Sequence, residues 1–515
     1  MPWGEKSSVY EHLLRHLHPE VAGLLPGGEV LPDDEEFWEG KSLRWAAGGL
    51  DGTTRRRAST EGRDARAAKL MGLLLSAADR PTPDHLHAMH DFLKSAPALA
   101  YVDDLLREVV LARSTNQRGN LTQIARWLAT HSPDREPVKI GIALLGVLSD
   151  HDESDLVLTL GRHDEFTLFA AVALTHLYEF PDALLMELGK HVDGWGRIQI
   201  IERLSDTRNP EVQAWMLRQG FKNSVMYEYT AHICSVAGDL ARELTAAHVD
   251  DELFEAATGL IDALLTGGPA NDIDDYDDGV EAVQDYLRHV RSREPILATL
   301  RVLWLLRRRA SRYVESKRTE AINGWTPAFY EWLTGECEEI TSWPAWATLT
   351  EAALASTERR DFWLGLSSAR LLGIDIWELC FEKLEAGEDL WFQVMETKDR
   401  SRAERVVAFA TAKLPLARMA SGPAMQMGQG PVWAEYRHLD WVLQGLEEFP
   451  HLGWGLIRTG FHSPVIRNRN MALKAFKNWS RAEWPSDALS VIKRALKKEP
   501  DPDVRARLSE FMAGA

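Results

Sequence analysis

Val280-Glu281-Ala282-Val283-Gln284-Asp285-Tyr286-Leu287-Arg288-His289-Val290-Arg291 decides the fold class. Val280, Val283, Leu287 and Val290 recur at steps of three, four and three, while Asp285, Arg288 and Arg291 fall on the other side. That is the period of an amphipathic helix with one buried stripe. Val102, Leu105, Leu106, Val109 and Val110 repeat it, and most other segments long enough to test do the same. The main hairpin signal, strand alternation around an Asn-Gly or Asp-Gly turn, is nearly absent: Asp51-Gly52 and Asn323-Gly324 lack apolar alternation on both sides. The punctuation is short, as in Ser132-Pro133-Asp134, Phe180-Pro181-Asp182 and Arg208-Asn209-Pro210-Glu211. Each puts a proline where its fixed φ suits a first helical turn and a polar side chain where it can cap free amides. An all-α chain of antiparallel helix pairs is expected.

Outward from that stretch, the length of 515 residues is about three times that of an ordinary domain, which calls for several domains or a repeat array. With 45% hydrophobic and 26% charged residues the composition is that of a folded globular chain. No apolar run approaches the roughly 18 residues that span a bilayer. Met1-Pro2-Trp3-Gly4-Glu5-Lys6 lacks a basic stretch followed by an apolar core, so a cytoplasmic protein without a secretory signal is expected. Cys234, Cys337 and Cys380 are odd in number and widely spaced, which fits buried thiols and neither a disulfide framework nor a paired-cysteine zinc site. The net charge of −18 disfavours nucleic acid and anionic membrane as partners.

Three helix starts look alike: Asn209-Pro210-Glu211-Val212, Ser463-Pro464-Val465-Ile466-Arg467 and Asp501-Pro502-Asp503-Val504-Arg505. In these residues the chain resembles HEAT-type helical repeats, whose second helix often opens on Asp-Pro-x-Val-Arg. The resemblance is best at 500–508, weaker at 462–476 and weakest at 208–220, and covers about a quarter of the chain. It implies an α-solenoid with an irregular N-terminal extension: a cap at 1–60, helical repeats at 61–265, Trp-rich repeats at 276–420 and HEAT-like repeats with a basic patch at 432–515. The breaker-rich stretches Thr266 to Asp278 and Ser421 to Pro431 separate these parts.

Motifs that would carry chemistry fail on their context. Gly194-Trp195-Gly196 and Gly453-Trp454-Gly455 lack a third glycine and a preceding strand. Gly40-Lys41-Ser42 would end a phosphate loop, but Glu35 stands where its opening glycine should. Gly365-Leu366-Ser367-Ser368-Ala369 has helical flanks, unlike a nucleophile elbow. His85, His87 and His90 read as a first helical turn, His12 and His16 lack a third ligand, and His151-Asp152-Glu153 and His163-Asp164-Glu165 read as caps, so no metal site is expected. The acidic run from Asp274 breaks the calcium-loop pattern at Tyr276 and Gln284. Arg55-Arg56-Arg57-Ala58-Ser59 and Arg307-Arg308-Arg309-Ala310-Ser311 resemble basic-directed phosphorylation sites but read as solvated helix ends, the second following Leu305-Leu306 as the polar end of a buried helix.

Two features rise above background. Thirteen of the 19 tryptophans lie from Trp304 onward, which fits large-residue core packing or a pocket for a small apolar ligand. Residues 463–515 carry eleven bases against six acids, a basic patch in an acidic chain, and Arg467, Arg469 and Lys474 are its candidate docking residues for an acidic protein partner. The Trp-rich half and the tail Arg467 to Phe476 are also similar to bacterial chains that carry the name limonene hydroxylase. That resemblance implies NAD(P)H-dependent oxidation of a monoterpene, with NAD(P)H as cofactor and no catalytic residue to transfer, because no haem, flavin or nicotinamide motif is present. The primary expectation is a helical-repeat binding or scaffold protein without a cofactor; the oxidoreductase is the alternative.

Overall fold

The computed structural model describes residues 6–18, 23–41, 44–54, 63–111, 115–149, 151–316 and 323–514. Among them the chain is all-helical, with two isolated bridges, Leu17 with Leu24 and Gln426 with Val465, in place of any strand. No described helix is long and apolar enough to cross a membrane. Contacts group the chain into two compact units, Met1–Leu371 and Leu372–Ala515, so the Trp-rich stretch 276–420 contributes to both.

In the first unit many contacts pass from a helix to the next or the next but one, while Val9–His16 and Arg63–Asp79 both pack on the more distant Thr115–His131. Thr115–His131 packs on Arg135–Leu148, that helix on Asp164–Leu177, and that in turn on Trp195–Arg203. Arg135–Leu148 is buried along nearly its whole length, apolar from Ile140 on and charged in its first turns at Arg135, Glu136 and Lys139. Its glycines permit the approach: a Cβ at Gly141 would lie 2.8 Å from the Ala129 nitrogen, and one at Gly146 2.6 Å from the Ala173 Cα. Further along, Asp251–Thr266 packs on Leu297–Ser316, which packs on Pro327–Thr341. The stripe Val280, Val283, Leu287 and Val290 is buried as its spacing requires. On Val102–Leu111 the stripe narrows to Val102, Leu105 and Val109, with Val110 56% exposed.

The repeated helix starts differ in detail. Asn209 caps Pro210–Trp215 by accepting from the Glu211 amide at 3.0 Å, and Asp501 Oδ1 accepts from the amides of Asp503 and Val504 at 3.0 and 2.9 Å. The helix after Pro464 begins two residues later, at Ile466, because Ser463 spends its hydroxyl on the Val465 amide and on Asn468.

The described part of the N-terminal segment is helical at Val9–His16, Asp34–Trp38 and Gly49–Thr54, and it packs on the unit instead of standing apart from it. Its carboxylates enter the interior. Arg135 is 3% exposed and donates to Asp33 at 3.0 Å and to Asp34. Lys139, 2% exposed in its side chain, meets Asp51 and Glu165 at 2.7 Å and Glu136 at 3.1 Å. Burial disfavours the Lys139 cation, but the three carboxylates outweigh it and hold its pKa well above the ordinary value. The Arg55–Ser59 pentapeptide lies outside the described residues.

Trp325 and Trp346 are fully buried, Trp377 and Trp391 nearly so. The indoles of Trp346 and Trp377 donate to the carbonyls of Ile340 and Val394 at 2.7 and 2.8 Å, which is how core tryptophans satisfy their one donor. All three cysteines are buried free thiols, and burial pushes Cys337 up to about 12.

Candidate functional site

The three predicted docking residues share the helix Ile466–Phe476 but not a face. Arg467 is half-exposed, with Nε 3.4 Å from Asp440 and its guanidinium over Trp441. Lys474, two turns on, is also half-exposed and bonds Glu447 at 2.5 Å. Arg469 points inward. It is 1% exposed, donates through Nε and Nη2 to the fully buried Glu499 at 2.8 Å, and through Nη1 to the Ser463 carbonyl at 2.9 Å. Arg469 is therefore no docking residue: counting charge along the chain ignored which face each base takes. It is a strut, since Glu499 also accepts from the Asp501 amide at 3.1 Å and so fixes the turn that launches Pro502–Gly514.

That last helix, the helix Ile466–Phe476 and the Trp479–Trp484 turn enclose a groove of about 820 Å³. Lys474, Lys477, Arg481 and Arg507 line it against the single carboxylate of Glu510. Lys474 and Lys477 share Glu447, whose carboxyl is held below its ordinary range first by the hydrogen bond from Lys474. Arg507 donates to the neutral Asn470 at 2.7 Å, and Arg481 lies over the Trp484 ring, so neither charge meets a carboxylate among the described contacts.

Aromatic rings floor the groove. Trp484 stacks on Phe511 at 5.8 Å and tilts against Phe476 at 4.9 Å, while Trp479 sits 5.1 Å from Phe476. Trp484 donates its indole N–H to the Trp479 carbonyl at 3.3 Å. Trp479 lines the same groove, is 6% exposed, and its Nε1 has no hydrogen-bond partner among the described residues. A buried donor without an acceptor carries a desolvation cost that a ligand oxygen would relieve. This floor escaped the reading of the sequence. The signal was the interleaving Lys477-Asn478-Trp479 and Arg481-Ala482-Glu483-Trp484, which alternates base and ring.

The remaining candidates are placed apart. Among the described residues no three His, Cys, Asp or Glu side chains group as a metal site would need. His85 and His87 bond carbonyls of their own segment, and His90 is buried 3.0 Å from Asp134. The rings of His12 and His16 tilt against each other at 4.4 Å. His163 caps Asp164–Leu177 by accepting from the Glu165 amide, and burial lowers its pKa to about 4. In the acidic loop Ile273 and Tyr276 are buried and Asp274 pairs with Arg309. Ser367 and Ser368 lie within the helix Arg359–Leu372. Lys41 sits 3.4 Å above the Phe37 ring, and Ser42 lies outside the described residues.

No known family model, curated protein or solved structure matches the chain.

Proposed function

We propose that the chain is a binding protein built as an α-solenoid of antiparallel helix pairs in the HEAT manner, and that its C-terminal groove takes an acidic, partly apolar segment of a protein partner. Stacked contacts between successive helices support the solenoid, because each hairpin in such an array buries its apolar face on the next. One observation carries the function: a groove with four cations and one carboxylate on its walls, floored by rings, holds a buried indole donor that is unpartnered among the described residues. Carboxylate side chains supply both the charge and the acceptor, and apolar side chains between them supply contact area for Trp484 and Phe511. The acidic remainder of the chain would repel a polyanion such as nucleic acid at long range, whereas a short acidic segment meets only the local field.

The test is fluorescence anisotropy of the full-length protein with a short labelled peptide of alternating glutamate and leucine, beside its lysine counterpart. The glutamate peptide is expected to bind, more weakly as salt rises, and the lysine peptide is not. Reversing Arg507 and Lys477 to glutamate together should weaken binding by at least about tenfold, as the loss of two charge-assisted contacts requires. Equal binding of both peptides, or an unchanged affinity in the double variant, contradicts the proposal.

A further inference from the structure

A second site lies in the first unit, remote in sequence from the groove and independent of the reading given to it. Between the helices Asp182–Lys190 and Trp195–Arg203 and the turn that follows Trp215, a cavity of about 530 Å³ opens over Arg197. Arg197 is 7% exposed. Its Nε donates to the Val192 carbonyl at 2.8 Å and its Nη1 to the carbonyls of Gln219 and Lys222 at 3.2 Å each. Among the described residues no carboxylate lies within ion-pair distance, and burial lowers its pKa against the more distant pull of Asp193 and Asp164. A buried guanidinium whose direct contacts are neutral carbonyls and the Trp215 ring is costly, because its charge is desolvated without a counter-charge in contact. Among the described residues no hydrogen bond engages Nη2, and Arg197 lines the cavity.

The surroundings are built, not incidental. Lys190 and Lys222 line the same cavity; Lys190 meets Glu187 at 3.4 Å, and Lys222 spends a hydrogen bond on the neutral Gln219 side chain at 3.1 Å. Asp193 is the one lining carboxylate, and its Oδ1 is engaged by the Ser224 hydroxyl at 3.0 Å. Trp215 forms one wall. Its ring lies so close to Gly189 that a Cβ there would come within 2.7 Å of Cη2, which fixes its seat. Directly after it, Met216–Gly220 winds as a π-helix, a rare turn that concentrates at functional sites, and this turn presents the Gln219 carbonyl to Arg197.

We infer that this cavity is an anion site for the phosphate of a small phosphate monoester, with Arg197 as the buried anchor, Lys190 and Lys222 as outer cations, and Trp215 and Tyr227 flanking the organic part. A phosphate offers several acceptor oxygens for Nη2 and the two ammonium groups, and its charge supplies the counter-ion that the buried guanidinium lacks in contact.

The experiment is hydrogen exchange and calorimetry on the full-length protein with inorganic phosphate, phenyl phosphate, and phosphatidylcholine vesicles with and without phosphatidylinositol 4-phosphate. Phenyl phosphate should bind more tightly than inorganic phosphate and protect the amides of 189–197 and 215–227. Protection by the soluble ester without vesicle binding identifies a free metabolite-like ligand; phosphoinositide-dependent sedimentation with the same protection identifies a lipid headgroup. Lys190→Ala with Lys222→Ala touches only exposed or half-buried side chains and should keep the fold while weakening binding at least about fivefold, and Arg197→Lys should weaken it further. The inference is overturned if neither phosphate compound protects these amides, or if the Lys190→Ala, Lys222→Ala protein binds as the wild type does.

Discussion

The two units hold their buried charges in different ways. In the first, Arg135 meets Asp33 across 102 positions and Lys139 meets Asp51 across 88, so the N-terminal segment is bound into the interior by ions. In the second, Arg469 in the helix Ile466–Phe476 meets Glu499 in the turn before Pro502, across 30 positions, and the pair fixes that turn. A cluster with many carboxylates tolerates no missing cation, whereas an isolated pair can be removed whole. The contrast teaches that the same buried chemistry can close a long stretch of chain or only square up a local corner.

The largest expected effect breaks the long-range cluster. Lys139→Met leaves Asp51, Glu136 and Glu165 facing one another in the interior, and should cost about 3–5 kcal/mol. Amide exchange should rise through the first unit while the helix Ile466–Phe476 keeps its protection; uniform loss across the chain would contradict separate units. Arg469→Met should cost about 3 kcal/mol in the second unit by stranding Glu499, and adding Glu499→Leu should recover part of it. If the double variant is no better than the single, the pair is not the local strut described here.

A packing change should be smaller. Gly146→Ala forces a methyl group to within 2.6 Å of the Ala173 backbone and should lower stability by about 1–3 kcal/mol, read from a denaturant midpoint. The remaining test is a pH dependence. Asp164 is half-buried, and that burial pushes its carboxyl up to about 7, partly offset by the Gly196 amide it accepts from. Because the folded value lies above the ordinary 3.8, this group's contribution to stability is intact below about pH 4 and is lost as pH rises toward 7. Asp164→Asn should therefore be more stable than wild type at pH 8, with the gap closing toward pH 5. A gap that widens on acidification reverses the sign and contradicts the assignment.

Helix class was legible because it rests on local period, as at Val280–Val290, and the capping of Pro210 and Pro502 was legible because the cap lies next to the proline. The ionic interior was not. Lys139 sits between Val138 and Ile140 in an apolar run, a signal that a charge is buried there, but nothing local says that Asp51 comes to meet it, or that Asp33 and Asp34 come to meet Arg135. Arg469 was misplaced for a related reason: it stands two residues from Arg467, which on a helix is the far side. The basic character of the groove could be read from the Lys474–Arg507 stretch, whereas its floor depended on Trp479, Trp484 and Phe511 folding over Phe476, a contact made by a turn whose course the residue pattern does not announce. The Arg197 cavity was hidden in the same way: Asp193 stands four residues before its anchor, and only the folded chain keeps that carboxylate out of ion-pair contact among the described residues.

The measurement that bears most directly on the central claim is a hydrogen-exchange footprint of the full-length protein with the alternating glutamate–leucine peptide. Binding in the groove predicts new protection confined to 470–484 and 507–514, lost in the Arg507→Glu, Lys477→Glu protein. Protection elsewhere with those segments unchanged would contradict the assignment of the C-terminal groove as the partner site.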